Sequence, residues 1–247
     1  MIGMLRRLLA ELVGTALLVT VVVGSGIAAQ QLSPGQVGLQ LLENSTTTVL
    51  GLTVLILIFG PVSGAHFNPV VSAVDWLLGR RAGTGLCGRD VLAYTGSQLL
   101  GAVGGALLAN VMFDLPVVQV SHKPRTSLGL WVGEVVATAG LIALIVVLAR
   151  TGRAALSAAA VGAYIGAAYW FTSSTSFANP AVTVGRVFSD TFAGIAPASV
   201  PGFVIAQLIG GTLGAALVLI LYPDADTAAA DVVVPHPATP HPGSATS

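Results

Sequence analysis

The sequence SSTSFANPAVTVGR, residues 173–186, contains the Asn179-Pro180-Ala181 motif from which the fold can be inferred. Asn is a favoured helix N-cap, Pro is favoured at the first helical position, and the residue before a Pro is biased toward extended backbone. The motif therefore predicts a helix that begins sharply at Asn179. A second copy, Asn68-Pro69-Val70, lies in GAHFNPVVS, residues 64–72, and also follows a long apolar segment. One Asn-Pro pair is a weak signal, whereas two in matching contexts indicate a duplicated architecture.

The composition identifies the class of protein. The chain has 247 residues, of which 54% are hydrophobic and only 8% charged, and its mean hydropathy is +0.88. So much apolar surface cannot be hidden in a water-soluble core, which indicates a membrane protein. The formal net charge is zero and there is no basic patch, so no nucleic-acid partner is expected. The single cysteine, Cys87, excludes an internal disulfide, and neither a metal site nor a cofactor is predicted.

Six apolar segments are long enough to cross a bilayer. They lie near residues 8–29, 45–62, 91–112, 130–149, 155–172 and 200–222. Two shorter segments, 68–79 and 179–188, each begin at an Asn-Pro pair and are too short to cross, so they predict half-helices that enter from opposite sides. Non-helical backbone at membrane depth is tolerated only where protein buries it or where it lines a wet cavity. The loops before the half-helices therefore predict a pore.

The two halves of the chain resemble each other. The matching segments are ELVGT at 11–15 and EVVAT at 134–138, FNPVVS at 67–72 and ANPAVT at 178–183, and SQLLG at 97–101 and AQLIG at 206–210. Because each repeat has three spans, an odd number, the second copy must be inverted in the membrane. We predict a channel domain over residues 1–222, with repeats over 1–113 and 129–222, followed by a disordered cytoplasmic tail over 223–247. His236 and His241 in that Pro-rich tail are interpreted as solvated rather than as metal ligands.

The distribution of basic residues predicts the orientation. Seven arginines fall on one side of the predicted bundle and three basic residues on the other. The first group is Arg6, Arg7, Arg80, Arg81, Arg89, Arg150 and Arg153, and the second is Lys123, Arg125 and Arg186. The positive-inside rule then predicts cytoplasmic termini for a multi-pass protein of the inner (plasma) membrane.

The paired Asn-Pro loops, the Ala-Glu and Gly-Glu helix openings at Glu11 and Glu134, and the repeated Gln-Leu-(Leu/Ile)-Gly segments resemble the major intrinsic protein family. This family comprises the aquaporins and aquaglyceroporins, and the resemblance covers about residues 5–222. It implies an all-α membrane protein with an aquaporin-like inverted repeat of six transmembrane helices and two re-entrant half-helices. It also implies a right-handed bundle, one pore per protomer and a homotetramer in the lipid bilayer.

The predicted pore chemistry centres on the two motifs, Asn68, Pro69 and Val70 with Asn179, Pro180 and Ala181. Each half-helix carries roughly half a positive charge at its N-terminus, so cations and protons are disfavoured where the two ends meet. The asparagine amides can donate hydrogen bonds to a neutral hydroxylated solute. Backbone carbonyls before each motif would provide acceptors. These carbonyls belong to Gly64, Ala65, His66, Phe67, Thr175, Phe177 and Ala178. By the resemblance, Glu11 and Glu134 accept hydrogen bonds from the backbone of the loops.

The selectivity filter departs from the family pattern at Val182. Water-selective members usually have Arg directly after the second Asn-Pro-Ala, and Arg186, four residues later, cannot be assumed to replace it. The resemblance assigns the other filter positions to Ser176, to Ala167 or the neighbouring Gly166, and to Thr48 or Leu50. Such a filter would be wide, weakly polar and uncharged.

The filter pattern suggests which solutes pass. Asn-Pro-Ala-Val followed by SDTFAG at 189–194 resembles bacterial family members associated with arsenic resistance. The resemblance therefore implies passive, bidirectional passage of arsenous acid or other metalloid hydroxides, glycerol and water. Arsenous acid is uncharged at neutral pH and presents hydroxyl groups much as glycerol does.

Three alternatives have different tests. A water-selective aquaporin would exclude glycerol, and a structural membrane scaffold would conduct nothing. An enzyme hypothesis starts from Ser63 and the nearby His66, which superficially resemble part of an intramembrane serine protease. The spacing of that pair does not match Gly-x-Ser-Gly and no second intramembrane His is available as a base, so no enzymatic activity is predicted.

Overall fold

A computed structural model describes residues 3–223, which are helices joined by turns and loops without a β-strand. The predicted tail lies outside the described residues from position 224 onward. The helices are α1 (Met4–Leu32), α2 (Val37–Ser63), α3 (Pro69–Ala82), α4 (Gly88–Met112), α5 (Leu128–Arg150), α6 (Ser157–Phe171), α7 (Pro180–Gly185) and α8 (Val200–Leu221). Within the described part, six helices are long and apolar enough to cross a membrane. These are α1, α2, α4, α5, α8, and α6 together with the 3-10 turn Ala154–Leu156 before it. The predicted all-α class is confirmed.

The two short helices begin at the Asn-Pro pairs, as predicted. Asn68 is the extended N-cap of α3, and its side-chain oxygen accepts from the backbone N–H of Val70 at 2.9 Å. Asn179 caps α7 in the same way and accepts from Ala181 at 2.9 Å and Val182 at 3.2 Å. Each cap satisfies N–H groups that would otherwise be unpaired at a helix start. The second half-helix is short, because α7 ends at Gly185 and passes into a 3-10 turn at Arg186–Phe188.

Because six helices cross the bundle, the chain ends on the side on which it began. We call this side the terminal side and the opposite side the distal side. The half-helix α3 runs from the middle toward the terminal side, because it follows α2 and precedes α4 there. The half-helix α7 runs from the middle toward the distal side, between α6 and α8. The two half-helices therefore extend in opposite directions from the centre of the bundle.

Glycines fix the closest helix contacts. A Cβ on Gly101 or Gly105 of α4 would lie 2.2 or 2.1 Å from a backbone oxygen of α1. A Cβ on Gly210 or Gly214 of α8 would lie 2.4 or 2.3 Å from a backbone oxygen of α5. Small residues four apart allow helix backbones to approach in this way in membranes. The α1–α4 and α5–α8 pairs thus use the same packing, once in each half of the chain.

Candidate functional site

Glu11 holds the loop before α3 from within the bundle. Its carboxylate is fully buried and accepts hydrogen bonds from the Ser63 hydroxyl at 2.6 Å and from the backbone N–H groups of His66 at 3.0 Å and Phe67 at 2.7 Å. The Gln98 amide of α4 donates a further bond at 2.7 Å. A buried carboxylate is tolerated when it is hydrogen-bonded in this way, and here its partners set the path of the loop.

Glu134 makes the equivalent contacts with the loop before α7. The backbone N–H groups of Phe177 and Ala178 each donate to its carboxylate at 2.8 Å. The Gln207 amide of α8 donates at 2.6 Å and also contacts the Thr183 hydroxyl at 2.9 Å. The two loops therefore have the same support although they enter from opposite sides.

Both loops have unusual backbone conformations. The left-handed residues occupy matching positions before the two asparagines: Gly64 (φ 89°), Ala65 (φ 49°) and Phe67 (φ 50°) in the first, Thr175 (φ 61°), Ser176 (φ 48°) and Ala178 (φ 49°) in the second. Non-glycine residues rarely adopt this conformation and cluster at functional sites. Between residues 3 and 223, no hydrogen bond reaches the carbonyl oxygens of residues 64–66 and 175–177. These acceptors remain available to a solute or to water.

The asparagines join the two loops at the centre. The Asn68 amide donates to the carbonyl of Ala178 at 2.8 Å, and the Asn179 amide donates to the carbonyl of Phe67 at 2.7 Å. Each amide has two N–H groups, so this crossed pair uses one N–H from each residue. Both asparagines also line the central cavity, to which the second N–H can donate.

The central cavity has a volume of about 70 Å³ and two chemically different sides. The loops contribute the polar side, through Ala65, Asn68, Ser176, Phe177, Ala178 and Asn179. The spanning helices contribute a mostly apolar side, through Leu18, Val22, Leu52, Ile56, Leu141, Ile145, Val161 and Ile165. Thr48, Tyr169, Val182 and Arg186 complete the lining. Thr48 lies on one stripe of α2 with Leu52 and Ile56, which are spaced one turn apart.

Two residues among the predicted filter alternatives, Leu50 and Ala167, do not line the central cavity. Leu50 has 63% of its surface exposed and does not line the cavity, since it lies two residues, about 200°, from Thr48 on the helix. Ala167 is also exposed. It lies two residues from Ile165 and from Tyr169, which form the stripe of α6 that lines the cavity. The neighbouring Gly166 packs against α2, where an added Cβ would lie 2.3 Å from a Val49 methyl group.

Tyr169 is the α6 residue at the position where the sequence predicts a small side chain. It is 3% exposed, and its hydroxyl lies 3.2 Å from Thr48 Oγ1 across the α2–α6 contact. The cavity lining therefore contains a larger side chain at this position than the sequence predicts, with a hydroxyl group next to that of Thr48. Val161, Ile165 and Tyr169 follow one another at intervals of four residues, and this spacing is the sequence signal that could have identified Tyr169.

Arg186 lines the cavity to which the predicted filter residues Thr48, Ser176 and Val182 belong, and it is not among the predicted filter positions. Arg186 is 2% exposed and lines the same cavity as Val182, which lies one helical turn before it in the sequence. Its Cζ lies 3.5 Å from the ring centroid of Phe177, and its Nε donates to the carbonyl of Ala193. An arginine therefore lines the cavity although Val182 itself is apolar.

The distal mouth contains two further cations. Arg125 is buried, with Cζ 5.0 Å from the Phe177 ring centroid, and donates to the carbonyl of Gly194 at 3.0 Å. Lys123 donates to the carbonyl of Phe192 at 2.9 Å. Burial, followed by the charges of Arg125 and Arg186, lowers the pKa of Lys123 to about 8. None of these three cations forms a salt bridge within residues 3–223.

A larger cavity of about 750 Å³ lies on the terminal side, between α3, α5 and α8. His66 lines it, and its Nε2 atom is buried without a hydrogen-bond partner in the described part of the chain. Ile145 lines both this cavity and the central one, so the two adjoin at that side chain. The central cavity therefore borders a second cavity on the terminal side.

Comparison with known proteins identifies the family. The family described as Major intrinsic protein matches residues 1–178 and 155–243 of the sequence. The chain belongs to this family. It is 50% identical over 212 residues to Aquaglyceroporin AqpS of Rhizobium meliloti (strain 1021), a match that covers 86% of this chain and 88% of the relative. It is 30% identical over 247 residues to the Glycerol uptake facilitator protein of Pseudomonas aeruginosa, covering 84% of this chain and 85% of the relative.

A solved structure has the same fold. The X-ray structure of the aquaglyceroporin from Plasmodium falciparum aligns with a TM-score of 0.64 and 20% sequence identity. The alignment covers 92% of this chain and 100% of that chain. Together with the six spanning helices, it confirms the predicted aquaporin-like fold of a multi-pass membrane protein.

This major intrinsic protein has a valine at the end of its first motif, and the opposing helix compensates for it. Val70 is 2% exposed and packs against Gly211 of α8, where an added Cβ would lie 2.4 Å from a Val70 methyl group. The second motif ends in Ala181 instead. The extra volume of Val70 is therefore matched by the missing side chain of Gly211.

We predict that Gly211→Ala lowers the melting temperature and that Val70→Ala in the same chain restores it. The single change overpacks the α3–α8 contact, at a cost of about 1–3 kcal/mol, and the second removes the clashing methyl groups. Thermal unfolding of the detergent-purified protein, followed by circular dichroism, measures the coupling. Gly96→Ala is the control, because a Cβ there meets no atom within 4 Å. Independent, additive effects of the two changes would contradict the proposed complementarity.

Proposed function

We propose that this protein is a passive channel for small neutral hydroxylated solutes, with glycerol and water among them. The observation that carries the proposal is the two-sided lining of the central cavity. Unpaired carbonyls and asparagine amides lie on one side and aliphatic side chains on the other. A polyol has hydroxyl groups that suit the first side and carbon atoms that suit the second.

The proposed selectivity follows from the cost of dehydration. A neutral solute can donate its hydroxyl protons to carbonyl oxygens such as those of Ala65 and Ser176, and can accept from Asn68 or Asn179. These bonds replace the hydration that the solute loses in a narrow cavity. A small cation would recover only part of its much larger hydration energy there, and it would also meet the positive ends of α3 and α7.

The names of relatives support the same solute class. AqpS is described as an aquaglyceroporin, and the Pseudomonas aeruginosa relative as a glycerol uptake facilitator. Arsenous acid and other metalloid hydroxides belong to the proposal as neutral hydroxylated solutes of similar size. We further propose cytoplasmic termini, an inner-membrane location and a homotetramer. The exposed apolar side chains of α2 and α6, such as Leu50 and Trp170, support contact with lipid or with neighbouring subunits.

The proposal is tested by light scattering of proteoliposomes after an osmotic step. With glycerol, urea or arsenous acid as the osmolyte, we expect shrinkage followed by solute-dependent reswelling, faster than in protein-free vesicles. Shrinkage without reswelling would favour the water-selective alternative. Rates equal to those of protein-free vesicles for water and for all solutes would favour a scaffold.

A matched pair of substitutions tests whether the described cavity is the conducting passage. We predict that Thr48→Phe lowers glycerol flux by about tenfold or more, because the added ring fills a cavity with room for only a few water molecules. Leu50→Phe, two residues away on the exposed face of the same helix, should leave the flux within about twofold. Equal flux through both variants at equal protein density would place the passage elsewhere.

The enzyme hypothesis has no support in the described geometry. The Ser63 hydroxyl donates to Glu11, and His66 Nδ1 lies 3.0 Å from the Ser72 hydroxyl. Ser63 is therefore a support for the loop rather than a nucleophile paired with His66, and the family consists of channels.

A further inference from the structure

We infer that Arg186 is the residue that excludes cations from the passage and donates hydrogen bonds to oxygen-bearing solutes, at a position one turn beyond the apolar Val182. The inference rests on the proposed channel function and adds a specificity-determining residue to it. Four observations carry it: the location of the guanidinium, its unused donors, its electrostatic surroundings and the local helix geometry.

The guanidinium lies at the cavity. Arg186 lines the cavity together with Thr48, Tyr169 and Val182, although only 2% of its surface is exposed. Its stacking on the Phe177 ring, with Cζ 3.5 Å from the centroid, holds the planar group in one orientation. The bond from Nε to the Ala193 carbonyl fixes it further. An arginine buried at a cavity in this way is oriented rather than freely mobile.

The guanidinium keeps hydrogen-bonding capacity for a solute. Arginine has five N–H donors, and only the Nε donor has a hydrogen-bond partner within residues 3–223. The four N–H groups on the η nitrogens are therefore available at the cavity. Buried donors without partners are costly, so water or a passing hydroxyl is the expected acceptor. A solute with lone pairs, such as a polyol or a metalloid hydroxide, can satisfy them.

The surroundings leave the positive charge uncompensated. The charged or titratable side chains near Arg186 are Arg125, Lys123, Tyr169 and Glu134. Glu134 is already occupied by the Phe177 and Ala178 backbone N–H groups, and Tyr169 is a phenol. Arg125 adds a second positive charge near the same Phe177 ring. A cation that approaches from the distal mouth is therefore repelled before it reaches the asparagines.

The local helix geometry explains how an arginine in this sequence position reaches the cavity. α7 ends at Gly185, and Arg186 begins a 3-10 turn one helical turn after Val182. Residues four apart lie on the same face of a helix, so both side chains face the cavity. Val182 is short and leaves space in which the long Arg186 side chain can extend over Phe177.

The test measures cation leak and solute flux in the same proteoliposomes. Proton and sodium leak are followed with entrapped fluorescent indicators, and glycerol flux by light scattering. For Arg186→Gln we expect at least about a tenfold rise in cation leak, with glycerol flux within about threefold of the parent. Arg186→Lys keeps the charge and should keep the vesicles cation-tight. Arg153→Gln is the control, because it removes an exposed guanidinium before α6 that does not line the cavity, and it should also remain cation-tight.

A transplanted arginine provides the second arm. The double variant Val182→Arg with Arg186→Val places the guanidinium directly after the second motif, and we expect cation exclusion to return to the parent level. If Arg186→Gln fails to assemble, the double variant decides the question, because it also lacks Arg186. A cation-tight double variant that conducts glycerol supports the inference. A double variant that leaks cations overturns it. A cation-tight Arg186→Gln variant that conducts glycerol overturns it as well. A parent protein that conducts no solute would instead refute the proposed function.

Discussion

Glu134→Leu is expected to abolish solute flux and to lower the stability of the protein by several kcal/mol. Leucine has a similar volume and suits a membrane helix, but it accepts no hydrogen bond. The backbone N–H groups of Phe177 and Ala178 and the amide of Gln207 would lose their acceptor at a fully buried position. Each unpaired buried donor costs about 1–3 kcal/mol, and an ordinary domain is stable by only about 5–15 kcal/mol.

The loss of flux follows from the loop rather than from the carboxylate itself. Without the Glu134 carboxylate, the left-handed conformation at Thr175, Ser176 and Ala178 loses most of its support, and the carbonyl acceptors lose their alignment. Glycerol flux in proteoliposomes and thermal unfolding in detergent are the two measurements. Glu11→Leu should give the same result through the first loop.

Glu43 provides the control for this prediction. Its carboxylate accepts from the Ser33 hydroxyl at 2.7 Å in the turn between α1 and α2, away from both loops. Glu43→Leu should therefore retain most of the flux. Parent-like flux and melting temperature in Glu134→Leu would show that the carboxylate does not organise the loop.

Gly105→Leu is expected to prevent formation of the folded protein. A Cβ at this position would lie 2.1 Å from the carbonyl oxygen of Ala16, so even the first side-chain carbon requires α1 and α4 to separate. Separation would also break the bond from the Thr20 hydroxyl to the Gly105 carbonyl at 3.0 Å. Backbone atoms cannot move aside as the end of a flexible side chain can. We expect little folded protein after detergent extraction, as measured by size-exclusion chromatography.

The adjacent residue is the control for this substitution. Gly104 lies about 100° around α4 from Gly105, is exposed, and would carry a Cβ that meets no atom within 4 Å. Gly104→Leu adds the same side chain to the same helix, yet it should yield protein that elutes as the parent does. A folded, conducting Gly105→Leu variant would mean that the α1–α4 contact is looser than the described geometry.

The elements that the sequence predicts well are those with a local or a repeated signal. Asparagine and proline fix the starts of α3 and α7 through capping and a preset backbone angle, which act within a few residues. The spans follow from the length of apolar runs, and the duplication predicts that the two loops meet. The crossed Asn68–Ala178 and Asn179–Phe67 bonds are consistent with that expectation.

The filter is where the sequence is insufficient. α6 has apolar residues on nearly every face, so its sequence does not indicate which stripe turns inward. The resemblance therefore indicates Ala167 or Gly166, whereas packing turns Tyr169 toward Thr48. The sequence also does not show that the Arg186 side chain extends to the cavity, because this depends on where α7 ends and on the orientation of the Phe177 ring.

The sequence by itself determined that this is a membrane protein with an inverted repeat, two capped half-helices and buried glutamates, because composition, length and capping are local properties of the chain. Only the tertiary structure decided which side chains line the central cavity and that one of them is Arg186. The physical reason is that the rotation of an apolar helix about its axis, and the course of a long arginine side chain, are set by contacts between segments distant in sequence.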